Sequence, residues 1–403
     1  MHRHRTRNVC TAGVRIRCCD LAFAAIAVIG SWLVTCGAYA ANGVDAVDVV
    51  DGVDVINTNN FNDAAYAHPQ QRIDIGNGHH LNLHCLGRGT PTVLFESGLT
   101  DWGFSWALVQ PQIAQLTRAC VYDRAGLGYS DAAYRASTSN NMVDDLHHLL
   151  QAAHVAPPYL LVGHSLGGLN VRLYADRFRD EIGGMVLVDP THEDGFRRID
   201  ALQNNRETRR YAAEVVHAKF CLHRSRVVKA DAQSQQRFRD ECIDPDDSRF
   251  SVQLNAARMR IARLQSYQRA QLSEISNYAN GTNFAEVRAA RRWYGTLPLT
   301  VLTASRTVDT VGPIWLRLHQ ELATLSRLGV QRTVQASGHY IQLDQPQAVI
   351  TAVTDMLIQA RAASQAAPSQ AAPATSTKFD YTAPESLLPM PVPLQNLPSN
   401  PTR

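Results

Sequence analysis

Net charge is nearly absent from this chain: 39 Lys and Arg face 36 Asp and Glu over 403 residues, leaving +3 with histidine neutral. A nucleic-acid binder concentrates positive charge to neutralise phosphates, so this balance argues against that class. Five of the basic residues, Arg3, Arg5, Arg7, Arg15 and Arg17, sit in a leader expected to be removed, which brings the remainder nearer to neutral. The apolar stretch of the leader, Leu21 to Val34, is short for the roughly 20 residues a transmembrane helix needs. None of the eight cysteines forms a Cys-x-x-Cys pair, which argues against zinc and dithiol redox sites.

What the N-terminus does carry is the pattern of an export signal. Basic residues up to Arg17 precede the apolar run, and Ala38-Tyr39-Ala40 supplies a small-x-small cleavage site. Cleavage is expected after Ala40, giving an exported protein, periplasmic or extracellular. Two rival readings attach it to a membrane: Leu33-Val34-Thr35-Cys36 loosely resembles a lipoprotein acylation box, and the leader is read alternatively as an uncleaved anchor. Residues 1–40 are thus the signal. Residues 41–65, with four Val-Asp repeats and an Asn-rich end, are expected to be a disordered linker, since such sequence cannot bury enough apolar surface to order itself. Residues 362–403, rich in Pro, Ala and Gln, are expected to be a disordered tail.

Between these ends short apolar runs alternate with amphipathic segments. The runs predict strands over Arg72–Ile75, His80–Leu86, Thr92–Glu96, Ala119–Asp123, Tyr159–Val162, Met185–Asp189, Leu299–Thr303 and Arg332–Gln335. Periodicity predicts helices over Met142–Ala153, Leu169–Phe178, Ile314–Leu328 and Ala348–Ala360. Alternation of this kind implies an α/β fold, a parallel sheet with helices on both faces. The stretch 191–296 interrupts it, being charged, strand-poor and helix-forming, with Val252–Tyr267 as one helix. It is read as an inserted helical cap between core segments 66–190 and 297–361, or alternatively as a solvated excursion without a gating role.

The string Gly163-His164-Ser165-Leu166-Gly167 is weak evidence alone, because a chain this long carries a Gly-x-Ser-x-Gly by accident about one time in ten. Its setting between the strand Tyr159–Val162 and the helix Leu169–Phe178 makes it a nucleophile elbow. There the serine takes a strained backbone conformation, and side chains at Gly163 or Gly167 would strike neighbouring backbone. Ser165 is therefore the candidate nucleophile.

Beside this motif, the runs Val93–Trp106, Tyr122–Asp131 and Ser337–Pro346 stand in the order found in the α/β-hydrolase superfamily, which the chain resembles over roughly 70–190 and 297–360. The resemblance implies a mostly parallel eight-stranded sheet and a serine hydrolase that needs no cofactor and no metal. It makes His339 the general base. The acid is left between Asp189, after the strand that precedes the insertion, and Asp309, two residues past Thr307, where relatives commonly carry it. Oxyanion donors are implied at the backbone N–H groups of Leu99 and Leu166, and Trp102, Trp106 and His164 become candidate substrate contacts. Trp102 and Trp106 are read equally as core. Adjacency of the second and fourth strands in that fold implies a Cys85–Cys120 disulfide, leaving Cys221 with Cys242. Asp123 and Arg124 read as structural turn residues.

A small-molecule carboxylic ester is the substrate class the resemblance favours. An aminopeptidase or amidase is the alternative, and it would need an acidic anchor such as Glu193 or Asp194 for the substrate amine. A ligand-binding protein that kept the fold without catalysis is a third reading. Epoxide hydrolases and dehalogenases of this fold use a carboxylate nucleophile, so a serine at the elbow argues against both. His80 and His84 share a strand face but lack a third ligand, which argues against a metal site.

Overall fold

The computed structural model describes residues 63–227 and 231–366. The expected signal, nearly all of the linker and the Pro-rich tail lie outside the described residues. Residues 63–65, read as linker, instead belong to a 3-10 helix, Asp63–Ala67. Its Asp63 accepts the Ser251 N–H at 2.7 Å and its Tyr66 hydroxyl donates to Gln110 at 2.6 Å. These long-range bonds order a segment whose local composition argues for no structure.

Eight strands form one sheet: β1 (Gln71–Asp74), β2 (His80–Leu86), β3 (Thr92–Glu96), β4 (Ala119–Tyr122), β5 (Tyr159–His164), β6 (Ile182–Val188), β7 (Leu299–Ala304) and β8 (Gly329–Val334). Their spatial order is β1-β2-β4-β3-β5-β6-β7-β8. The first two pairings are antiparallel and the rest parallel, as expected for mostly buried, branched-residue strands. Cys85 lies directly opposite Cys120 in the β2–β4 register and is bonded to it, and Cys221 is bonded to Cys242. β8 begins three residues before its predicted start because, as an edge strand with an alternately exposed pattern, it carries polar residues that hide its length.

Helices cover both faces. α1 (Gln110–Ile113), α2 (Ser139–Ala152) and α3 (Leu166–Arg177) follow β3, β4 and β5 respectively. Leu146, Leu149 and Leu150 of α2 and Leu169 and Leu173 of α3 pack on one face of the sheet with Leu81, Leu94 and Leu161. The other face is closed by Val349, Val353 and Met356 with Trp106, Ile113 and Val121.

Between β6 and β7 come six helices and, among the described residues, no strand: α4 (Gly195–Leu202), α5 (Arg206–Val227), α6 (Ala232–Cys242), α7 (Val252–Ala262), α8 (Gln265–Ala279) and α9 (Thr282–Ala290). The single helix expected over Val252–Tyr267 is two, because Leu264 is extended (φ −69°, ψ 132°) and starts α8 afresh. The buried Gln268 amide then donates to the Ala262 carbonyl at 2.8 Å, which satisfies the freed end of α7. After β7 come α10 (Ser305–Val311) and α11 (Pro313–Ala323), then β8, α12 (Ile341–Asp344) and α13 (Pro346–Ala366).

Candidate active site

Ser165 sits between the end of β5 and the first residue of α3 with φ 53° and ψ −117°. A non-glycine residue there stores about 1–3 kcal/mol of backbone strain, which only the surroundings can hold. They do so through three bonds: Ser165 N–H donates to Val188 O at 3.2 Å, and Ser165 O accepts from Gly168 N–H at 2.9 Å and Thr191 N–H at 3.0 Å. The flanking glycines are required by contact. A Cβ on Gly163 would lie 2.5 Å from the Gly167 carbonyl oxygen, and one on Gly167 would lie 2.4 Å from that of Glu96. α3 starts at Leu166, three residues earlier than its apolar pattern indicates, because Gly167 and Gly168 contribute no periodicity.

His339 occupies the loop between β8 and α12, and its Nδ1 lies 2.7 Å from Asp189 Oδ2. Asp189 is fully buried at the end of β6, with φ 41°. Its Oδ1 accepts from the Ala304 N–H at 3.0 Å and the Trp315 indole at 2.9 Å, and its Oδ2 also accepts from the Thr307 hydroxyl at 2.9 Å. Burial pushes this carboxyl up, yet the bond to His339 and its charge, with the Trp315 indole, outweigh it and hold its pKa below the usual range. Asp309 points elsewhere, exposed on α10. Of the two acids the sequence offers, the structure joins Asp189 to His339. Thr307, at the position where an acid was expected, supplies a donor to that acid.

His164 packs against both His339 and Tyr340, with ring centroids 4.7 and 4.8 Å apart. Its Nε2–H donates to the His339 carbonyl at 3.0 Å. Burial, with the charge of His339, lowers its pKa to about 3, so it is neutral at ordinary pH. No hydrogen bond joins Ser165 Oγ to His339 among the described residues; in unliganded sites such bonds are commonly long until substrate closes them.

Ser165, His164 and His339 open into a cavity of about 660 Å³. Leu99 forms part of its wall, and the inserted helices contribute Phe196, Tyr211, Ile275 and Tyr278. Leu166, buried and next to Ser165, opens α3, so its N–H has no intrahelical partner.

Trp102 and Trp106, the expected substrate contacts, do not line this cavity. Both are buried in the core: Trp106 rests on Phe95 with centroids 4.9 Å apart, and Trp102 lies edge-on to Tyr129 at 5.5 Å. The 3-10 turn Gly103–Trp106 packs against the interior strands β3 and β4 and so holds these rings in the core, a turn that the residue types alone do not reveal. Glu193 and Asp194 are likewise absent from the wall. Glu193 is buried between Arg172 at 2.8 Å and Arg291 at 3.0 Å, and Asp194 pairs with Arg288 at 2.9 Å. The cavity residues Phe196, Tyr211, Tyr278 and Trp315 went unnoticed in the sequence, where each reads as an ordinary helical apolar position.

His80 Nδ1 lies 3.1 Å from Asp131, while His84 is edge-on to Tyr66 at 5.2 Å, so the two histidines of β2 serve separate neighbours. Among the described residues no group of three or more His, Cys, Asp or Glu is placed to hold a metal ion.

A mostly parallel eight-stranded sheet, a serine on its strand-to-helix elbow and a histidine backed by a buried carboxylate define a hydrolase class. The chain belongs to the α/β hydrolase fold family, whose pattern it matches over residues 91–367. It is 35% identical over 139 residues to the uncharacterized protein YqjL of Bacillus subtilis (strain 168), covering 34% of this chain and 55% of that protein. The match thus spans about half the length of that relative. The structure of epoxide hydrolase CorEH superposes with a TM-score of 0.50 at 20% identity, covering 72% of this chain and 99% of that one. Haloalkane dehalogenase DatA from Agrobacterium tumefaciens C58 superposes with a TM-score of 0.55 at 15% identity, covering 72% and 96%. At such identities the likeness shows the fold alone.

Proposed function

We propose that the protein is a serine hydrolase that cleaves a small-molecule carboxylic ester through an acyl-enzyme on Ser165. The observation that carries this reading is the 2.7 Å bond between His339 and the buried Asp189 beside a cavity that also holds Ser165. His339 Nε2 takes the Ser165 proton as Oγ bonds to the ester carbon, and the carbonyl electron pair moves to oxygen. That oxyanion is held by the N–H groups of Leu166 and Leu99. Collapse breaks the carbon–oxygen bond, and the departing alcohol takes the proton back from His339. Water then repeats the sequence on the acyl-enzyme and releases the carboxylic acid, so each step uses the chain's own groups and water.

One feature bears on each of the other readings. Glu193 and Asp194, the residues expected to anchor a substrate amine, are tied to arginines away from the cavity, so an amidase would have to draw instead on Glu207, Glu214 or Asp244, which line it. A binding protein without catalysis would have no use for a strained Ser165 next to an oriented imidazole. We further propose that α4–α9 act as a cap over the site, and that the chain works outside the cytoplasm, where its two disulfides persist.

Labelling with a fluorophosphonate probe, followed by intact mass, tests the central reading. Wild type should gain one adduct, Ser165→Ala none, and His339→Ala one only slowly. Folded wild type that stays unlabelled would sink the proposal.

A further inference from the structure

The loop after β3, residues 97–101, carries the Leu99 N–H, and five of its backbone groups, the carbonyls of Ser97, Gly98, Thr100 and Asp101 and the N–H of Thr100, are bound by side chains from just two elements. Arg124 supplies the first. Its guanidinium is buried, and all five donors are engaged: Nη1 with Ser97 O at 2.8 Å and Glu96 at 3.1 Å, Nη2 with Gly98 O at 2.6 Å and Glu274 at 3.0 Å, and Nε with Glu274 at 2.7 Å. Nη2 also reaches Asp101 O at 3.3 Å. Helix α8 of the insertion supplies the second. Glu274 Oε2 accepts the Thr100 N–H at 2.7 Å, and the Tyr267 hydroxyl donates to Thr100 O at 3.2 Å. Thr100 itself has φ 64°, a conformation that needs such support.

Glu274 is nearly inaccessible and forms a two-pronged pair with Arg124 across 150 residues of chain. One carboxylate therefore fixes both the loop, through Thr100, and the arginine that holds the loop's carbonyls. The next residue of α8, Ile275, and one turn on, Tyr278, line the cavity. The helix that lines the cavity is thus bonded directly to the loop that carries the Leu99 N–H.

We propose that Glu274 is a positioning residue for the oxyanion hole, acting through Arg124 and Thr100, and that it makes α8 part of the machinery for transition-state binding. This inference rests on the ester-cleaving reading. Misplacing a donor by a fraction of an ångström removes stabilisation given only to the tetrahedral oxyanion, so turnover falls while ground-state binding stays.

The test compares wild type, Glu274→Gln and Tyr267→Phe in three measurements: kcat and KM on a p-nitrophenyl ester, the extent and rate of fluorophosphonate labelling, and affinity for a boronic acid that mimics the tetrahedral intermediate. Glu274→Gln is expected to lower kcat about tenfold to hundredfold with KM within about twofold. Boronate affinity should fall in step with kcat/KM, and labelling should still reach one adduct per chain, only more slowly. A structural defect would instead leave part of the protein unlabelled at normal boronate affinity in the rest, and that result overturns the inference. If Glu274→Gln does not fold, Tyr267→Phe decides, because it keeps the ion pair: a fall of about threefold in kcat at constant KM supports the inference, and wild-type kcat overturns it. Wild type that takes no adduct sinks the ester-cleaving reading and this inference together, whereas wild type that labels beside an equally fast Glu274→Gln sinks the inference alone.

Discussion

His339 Nδ1 and Asp189 Oδ2 meet at 2.7 Å although 150 residues separate them in the chain, and Asp189 takes three further hydrogen bonds, from Ala304, Thr307 and Trp315. A carboxylate held by four donors can orient the imidazole without drifting. Replacing it with Asn keeps the shape but turns an amide N–H toward His339 and favours the wrong tautomer, a change that costs about 10⁴ in kcat in a serine protease of the same logic. Asp189→Asn is therefore expected to lose at least three orders of magnitude in steady-state ester hydrolysis, and Asp309→Asn, exposed on α10, less than about twofold. Equal losses in the two variants would reject the assignment.

Local sequence does not separate the two candidate acids. Ser165 was legible because an elbow needs Gly163 and Gly167 at fixed offsets, and His339 because it follows the last strand. Asp189 and Asp309 both follow strands, and the choice depends on which carboxylate lies behind the imidazole, a relation across β6 and β7 that no local pattern encodes. Apolar runs exposed all eight strands, but edge strand β8 and the glycine-led start of α3 blurred at their ends. Trp102 misled because bulk near a nucleophile suits a pocket and a core alike. The role of Arg124 was hidden for the same reason as the acid: its partner Glu274 lies on an inserted helix far along the chain.

The Cys221–Cys242 bridge joins α5 to α6, where Ala218, Cys221, Leu222 and Phe238 provide little buried apolar area. Closing a loop with a sequence separation of 21 stabilises by about 3 kcal/mol in the chain-entropy account, mainly through the unfolded state. The double variant Cys221→Ala/Cys242→Ala should lose roughly that amount in urea unfolding. Asp244, just past α6, lines the cavity, so KM should rise more than kcat falls. A stability loss below about 0.5 kcal/mol would mean that α5 and α6 are held by packing instead.

Export predicts a chain end. Protein recovered from the extracytoplasmic fraction of an expressing cell should have the intact mass of a chain beginning at Ala41 with both disulfides formed. A mass that retains the leader, or one that adds acyl groups at Cys36, would replace the cleaved signal with an anchor.

His319 is fully buried beneath Asp189; its Nε2–H donates to Pro190 O at 2.9 Å and its Nδ1 accepts from the Thr303 hydroxyl at 2.8 Å. Thr303 Oγ1 in turn accepts from Gln331 at 2.9 Å, so the network suits a neutral ring, and a second proton on Nδ1 would oppose the Thr303 donor. Burial is the main cause that lowers its pKa to about 4, against the opposing pull of Asp189 and the Pro190 carbonyl. The unfolded chain binds this proton near pH 6.5, whereas the folded one does not until about pH 4. Stability from this group is therefore full above pH 6.5 and declines as pH falls toward 4, by on the order of 2–3 kcal/mol. His164 and His192, also lowered, act in the same direction, while the raised carboxyls of Asp101 and Asp176 oppose it, so the total slope is not diagnostic. The diagnostic quantity is the difference between wild type and His319→Gln in unfolding free energy, taken at pH 7.5 and again at pH 4.5. Wild type should lose about 2 kcal/mol more than the variant over that interval, and parallel losses would show that His319 is not held neutral by the fold.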